Sequence, residues 1–100
     1  MSRAIISPAA AQDLDEILAT VAQDGISRAE LVAARLRAGI DRIAHHPLLG
    51  HQHSLIDTPT LRVWVVRPYL IVYRHSTRPI EVVRILHGAR DLAALFDPPT

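Results

Sequence analysis

The apolar positions of this chain change their period once, and the change divides it into a helical half and a stranded half. Arg3 to Ile6 is a short apolar run that predicts a first strand. Ser7-Pro8 then reads as a helix start: Ser offers a side-chain acceptor at the N-cap, and Pro suits the first helical position, where its missing N–H would be unpaired anyway. Leu14, Ile17, Leu18 and Val21 follow at helical spacing and form one apolar stripe. Asp13, Asp15 and Glu16 lie in the N-terminal half, where the helix dipole favours negative charge, and Gly25 is expected to end the helix. Ser27-Arg28-Ala29-Glu30 matches a capping box and predicts the opening of a second helix. Its apolar stripe is Val32, Leu36, Ile40 and Ile43, and Pro47 stops it. Arg28, Arg35 and Arg42 recur every seven residues on another face, the arrangement of a solvated helix surface. The short connection makes the two helices an antiparallel hairpin.

Residues 48–60 show no periodicity and read as a loop. Beyond them Leu61–Arg67, Tyr69–His75 and Ile80–Leu86 are rich in Val, Ile and Tyr, and each has the length of a strand. Arg67-Pro68 and Ser76–Pro79 break them apart, which predicts a three-stranded antiparallel meander. Gly88 precedes a short helical segment, Asp91–Phe96, and Asp97–Thr100 is expected to fray. Simple alternation puts Leu61, Val63 and Val65 opposite Trp64 and Val66. It likewise puts Tyr69, Ile71 and Tyr73 opposite Leu70 and Val72, and Ile80 and Val82 opposite Val83 and Ile85. Both sheet faces are therefore apolar. One helix hairpin covers one face, so the second is expected to be left open for a protein partner.

Composition narrows the function. One hundred residues are expected to form a single domain, residues 1–100, and 49% apolar content supplies its core. The absence of Cys excludes disulfides, thiolate zinc sites and Cys nucleophiles. No run is long and apolar enough for a membrane span, and Met-Ser-Arg-Ala leads straight into patterned sequence, so a cytoplasmic location is expected. All eleven basic residues are Arg. Residues 1–57 carry five Arg against seven acids, whereas residues 58–100 carry six against three. Arg stays protonated at biological pH, so His is the only basic side chain here that can accept a proton.

Four stretches carry a family resemblance: SPAAAQDLDEI at Ser7–Ile17, IDRIAHHPLLG at Ile40–Gly50, LRVWVVRPYLIVYR at Leu61–Arg74 and EVVRILHGARDL at Glu81–Leu92. In this order and spacing they resemble the ParE branch of the ParE/RelE superfamily of toxins from type II toxin–antitoxin systems. The resemblance implies a small α+β fold, with an N-terminal strand, a helix hairpin, three strands and a short C-terminal helix. It implies a cognate antitoxin whose C-terminal segment wraps the toxin and whose N-terminal domain binds operator DNA, so that DNA is met only indirectly. It also implies DNA gyrase as the target, with no cofactor and no membrane. On that basis Arg62, Trp64, Val66, Tyr73, Arg74 and Arg84 are candidate antitoxin contacts, and Arg84, His87, Arg90 and Phe96 candidate target contacts.

The RelE branch shares the fold and cuts mRNA on the ribosome, so the fold alone does not choose between activities. Cleavage through a 2′-hydroxyl needs a base, an acid and cationic support for the phosphate. The acid–base candidates in the C-terminal block are His75, His87, Glu81, Tyr69 and Tyr73. A nuclease would rest on His87 with Arg84, Arg62 and Arg74, whereas the missing Lys argues against one. A relative that binds antitoxin without poisoning a target is the third possibility. The sequence departs from the ParE pattern at Arg67-Pro68, where relatives often have Gly-Arg, and at His51 and His53, where they often have Arg. His45, His46, His51 and His53 have some of the spacing of metal ligands, but no carboxylate completes a set before Asp57, and no metal is expected.

Overall fold

A computed structural model describes residues 3–96, with the side chains of residues 89, 90, 93 and 96 outside that description. The element order is β1 (Ile5–Ile6), α1 (Pro8–Ala22), α2 (Ile26–His45), β2 (Leu61–Val66), β3 (Tyr69–Arg74), β4 (Glu81–His87) and α3 (Gly88–Phe96). The strands form one mixed sheet in the order β1-β4-β3-β2, with β1 parallel to β4 and the other neighbours antiparallel. The fold is the expected α+β arrangement.

The first helix starts as its sequence dictates. Ser7 Oγ accepts a hydrogen bond from the Ala10 N–H at 3.0 Å and donates to the Val83 carbonyl at 2.8 Å, so one hydroxyl caps the helix and ties it to β4. The second helix departs from expectation. Gly25, at φ 132°, is itself the N-cap, and α2 begins at Ile26. Only a residue without Cβ enters that backbone region cheaply. The helix therefore starts before Ser27, which lies inside its first turn, and no side chain caps it. The capping box is not formed. The last helix likewise starts early, at Gly88 rather than Asp91, because Asp91 Oδ2 folds back to accept the His87 N–H at 3.0 Å.

Leu36 and Ile43 from α2 and Ala10 from α1 pack on Ile71, Tyr73, Val82 and Ile85 of the sheet. Each large aliphatic side chain buried here contributes about 1.5–3 kcal/mol. Gly39 lets α2 approach closely, since a Cβ there would stand 2.8 Å from Val66 Cγ2. Alternation in β2 and β3 follows the sequence reading. In β4 it breaks: Val72 pairs with Arg84 and Tyr73 with Val82, so a bulge at Val83 inserts one residue. Ile85 consequently joins Ile80 and Val82 on the helix side instead of opposing them.

The expectation of an open second face is corrected. Leu61, Val63, Leu70, Val72 and Leu86 are buried there under Ile56 from the 46–60 connection and Leu92 from α3, with Leu55 and Val83 at the margin. An aperiodic loop provides the missing layer. The exposed large apolar side chains are instead scattered, on Ile5, Ile6 and Val65 at the sheet margins, on Ile26 and Leu31 of α2, on Leu48 and Leu49 of the connection, and on Leu95 of α3.

Candidate functional site

Six of the candidate residues fall into three places, and Arg74 stands apart from them. The first is the base of the 46–60 connection. Tyr73 is completely buried, and its hydroxyl donates to the Pro47 carbonyl at 2.6 Å while accepting the Gly50 N–H at 2.8 Å. Burial pushes the Tyr73 phenol above its usual value, against the opposing influence of the Gly50 hydrogen bond and the nearby Arg62 charge. Arg62, opposite Tyr73 across the sheet, donates from Nη1 to the Gly50 carbonyl at 2.7 Å, and its Nε is buried without a partner among the described residues. Gly50 fits because a Cβ would stand 2.6 Å from the Tyr73 hydroxyl and 2.8 Å from the Val63 carbonyl. Tyr73 is thus a core pin for the loop, not part of an exposed contact face, and Arg62 serves the same loop.

The second place is the groove between α1 and the end of β4, about 550 Å³ in volume. Arg84 forms a bidentate pair with Asp13, Nε to Oδ2 at 2.7 Å and Nη2 to Oδ1 at 2.9 Å. The same Asp13 Oδ2 accepts the Ile85 N–H at 2.9 Å. A carboxylate on α1 therefore seals the edge of β4 where the short β1 no longer reaches it. The Asp13 hydrogen bonds push the Arg84 guanidinium further above its ordinary value, with burial opposing. His87 is exposed, its ring edge-on to Tyr69 at 5.4 Å, and it shares the groove with Arg84. Asp13, Glu16, Asp24 and Asp91 also line it, so acids outnumber bases among the described residues. The Arg90 and Phe96 side chains, the other candidate target contacts, lie outside the described residues.

The third place is the groove between α2 and the free edge of β2, about 650 Å³. Trp64 and Val66, two of the candidate antitoxin contacts, are there, half-buried. Arg35, Arg42 and Arg67 stand around them with no acidic residue in the lining. Arg42 lies over the Trp64 ring at 6.0 Å, and Arg35 Nη2 donates to the Arg67 carbonyl at 3.0 Å. Two members of the helical Arg series, both exposed, thus line one groove while keeping the solvated surface that the sequence predicts. Arg74 is elsewhere, bonded to Thr60 Oγ1 at 3.1 Å and to Glu81 Oε1 at 3.5 Å. The sequence cluster Arg62, Arg74 and Arg84 is therefore dispersed, each member held by a different partner.

Sequence reading missed Asp13 as more than a dipole partner, because its contacts lie 71 and 72 residues away. His51 and His53 stand with rings 6.0 Å apart, and His45 Nδ1 bonds the Asp41 carbonyl at 2.8 Å. Among the described residues no three His, Asp or Glu side chains gather as a metal site, and no helix is long and apolar enough to cross a membrane.

A profile of the family described as "ParE toxin of type II toxin-antitoxin system, parDE" matches residues 4–92. The chain belongs to the ParE toxin family. It is 30% identical over 101 residues to Toxin ParE3 of Caulobacter vibrioides, covering all of both chains. It is 33% identical over 91 residues to Toxin RelE2 of the same organism, covering 90% of this chain and 99% of that one. A solved structure titled "Chromosomal ParDE TA system from P. aeruginosa" shares the fold, with a TM-score of 0.73 at 19% identity, over 88% of this chain and 97% of the other.

Proposed function

We propose that this ParE-family chain acts as a single-domain cytoplasmic toxin that inhibits DNA gyrase by protein–protein binding and is neutralised by a cognate antitoxin. Operator DNA is reached only through that antitoxin. Family membership supports the toxin role, and the relatives named ParE3 and ParDE support the pairing with an antitoxin. The observation that carries the non-enzymatic reading is the groove at His87. A phosphodiester brought to His87 meets Asp13, Glu16, Asp24 and Asp91, while Arg84, the guanidinium that lines the groove among the described residues, is already engaged by Asp13. Arg62 and Arg74, the other phosphate candidates, are bonded to Gly50 and to Thr60 and Glu81. Lys, a common second source of cationic support, is absent from the chain.

Induced expression in a bacterial host tests the reading. Gyrase poisoning produces filamentation with DNA-damage signalling. Rapid translation arrest with cleaved mRNA would instead support the RelE-like reading, and normal growth a non-toxic relative. His87→Ala is expected to keep full toxicity, and its loss with the fold intact would bring the nuclease reading forward.

A further inference from the structure

The outer edge of β2 is only partly used by the chain itself. His51 pairs with Val63 through two backbone hydrogen bonds, 2.9 Å and 2.8 Å. Continued antiparallel pairing would bring Leu49 opposite Val65. The chain turns away instead: Leu49 N–H bonds the His46 carbonyl, and Gly50 N–H is drawn down to the Tyr73 hydroxyl. Val65 is two residues beyond Val63, so its N–H and C=O point outward from the same edge. Among the described residues no hydrogen bond reaches them, and Val65 is exposed. An edge strand with open backbone groups is a template for another strand. This one lies beneath Arg35 and Arg42, beside Arg67, with the half-buried Trp64 in its floor and no acid in its lining.

We propose that this edge is the docking site for an extended, acidic segment of the antitoxin, which pairs its backbone with Val65 and places carboxylates on Arg35, Arg42 and Arg67. The proposal rests on the toxin–antitoxin reading above. Backbone pairing supplies the register, and the three guanidinium groups select negative charge over the many neutral segments that pair with any open edge. The groove at His87, lined by four carboxylates, repels the same segment, so the two grooves sort their occupants by charge.

The test uses the full chain and the protein encoded by the adjoining reading frame. Binding is measured by titration calorimetry and amide exchange with and without that protein. The Val65 amide is expected to gain at least about tenfold protection in the complex, while the Val63 amide, already bonded to His51, changes little. Arg35→Glu with Arg42→Glu lowers affinity at least about tenfold and flattens its salt dependence. Val65→Pro removes the outward N–H at an edge, where Pro is tolerated, and weakens binding similarly. Thermal melting of each variant near the wild-type temperature certifies its fold. Unchanged Val65 exchange, or both folded variants binding within about twofold of wild type, overturns the docking site and leaves the toxin–antitoxin pairing standing. Variants that bind the antitoxin normally but lose gyrase inhibition overturn it too, and assign the edge to the target. Failure of the wild-type chain to bind its neighbour overturns the pairing and this proposal with it.

Discussion

Tyr73→Phe removes one oxygen and leaves two groups stranded. The hydroxyl satisfies the Pro47 carbonyl and the Gly50 N–H, at 2.6 Å and 2.8 Å, in a site where the ring has no solvent exposure. Each such bond contributes about 1 kcal/mol net, and a stranded buried donor costs a further 1 kcal/mol or so, giving a loss of about 2–3 kcal/mol. For a domain of this size that is a large share of a total of about 5–15 kcal/mol. It corresponds to a fall in Tm of about 10–20 °C by circular dichroism or calorimetry. The pH dependence gives a second readout. The folded phenol titrates above its unfolded value, so its contribution is complete below about pH 10. As pH rises beyond that, the unfolded chain loses the proton first and stability falls through the folded value. Tyr73→Phe abolishes this alkaline loss. Melting of the variant within about 2 °C of wild type would refute the pinning role, because the two hydrogen bonds would then carry no net stability.

Asp13→Ala strands the Arg84 guanidinium and the Ile85 N–H together, and is expected to cost about 2–4 kcal/mol in urea denaturation. Asp13→Asn, which keeps an acceptor for the Ile85 N–H, is expected to lose less. Gly50→Ala forces a Cβ to 2.6 Å from the Tyr73 hydroxyl and 2.8 Å from a backbone carbonyl. It is expected to lower stability by about 1–3 kcal/mol, with the Gly50 amide exchanging faster by NMR.

The helical half was largely legible in the sequence. Ser7-Pro8 starts α1, and the apolar stripes of both helices face the sheet. The start of α2 was not, because a capping-box pattern competes with the positive φ of Gly25 two residues earlier, and the backbone conformation wins. Alternation assigned the faces of β2 and β3 correctly and failed in β4, since the bulge at Val83 inverts every position after it without leaving a mark in the composition. The larger misreading concerned the second sheet face. Leu55 and Ile56 are two adjacent apolar residues in a polar, aperiodic stretch, and that pair was the available signal that the loop doubles as a core layer. Covering the face removes the unpartnered apolar surface from the middle of the sheet and leaves Ile5, Ile6 and Val65 exposed at its edges. Which candidate site residues lie together depends on sequence range. Trp64 and Val66 are on one strand and stay together, whereas the partners of Arg62, Arg74 and Arg84 come from other elements that local pattern cannot place.

Inhibition of gyrase by direct binding is the activity proposed for the chain. The most direct test adds the purified chain to gyrase supercoiling relaxed plasmid, with and without the adjoining antitoxin. Dose-dependent loss of supercoiling with accumulation of cleaved DNA, relieved by antitoxin and unchanged by His87→Ala, is expected. Full supercoiling at a large molar excess of folded chain would contradict it.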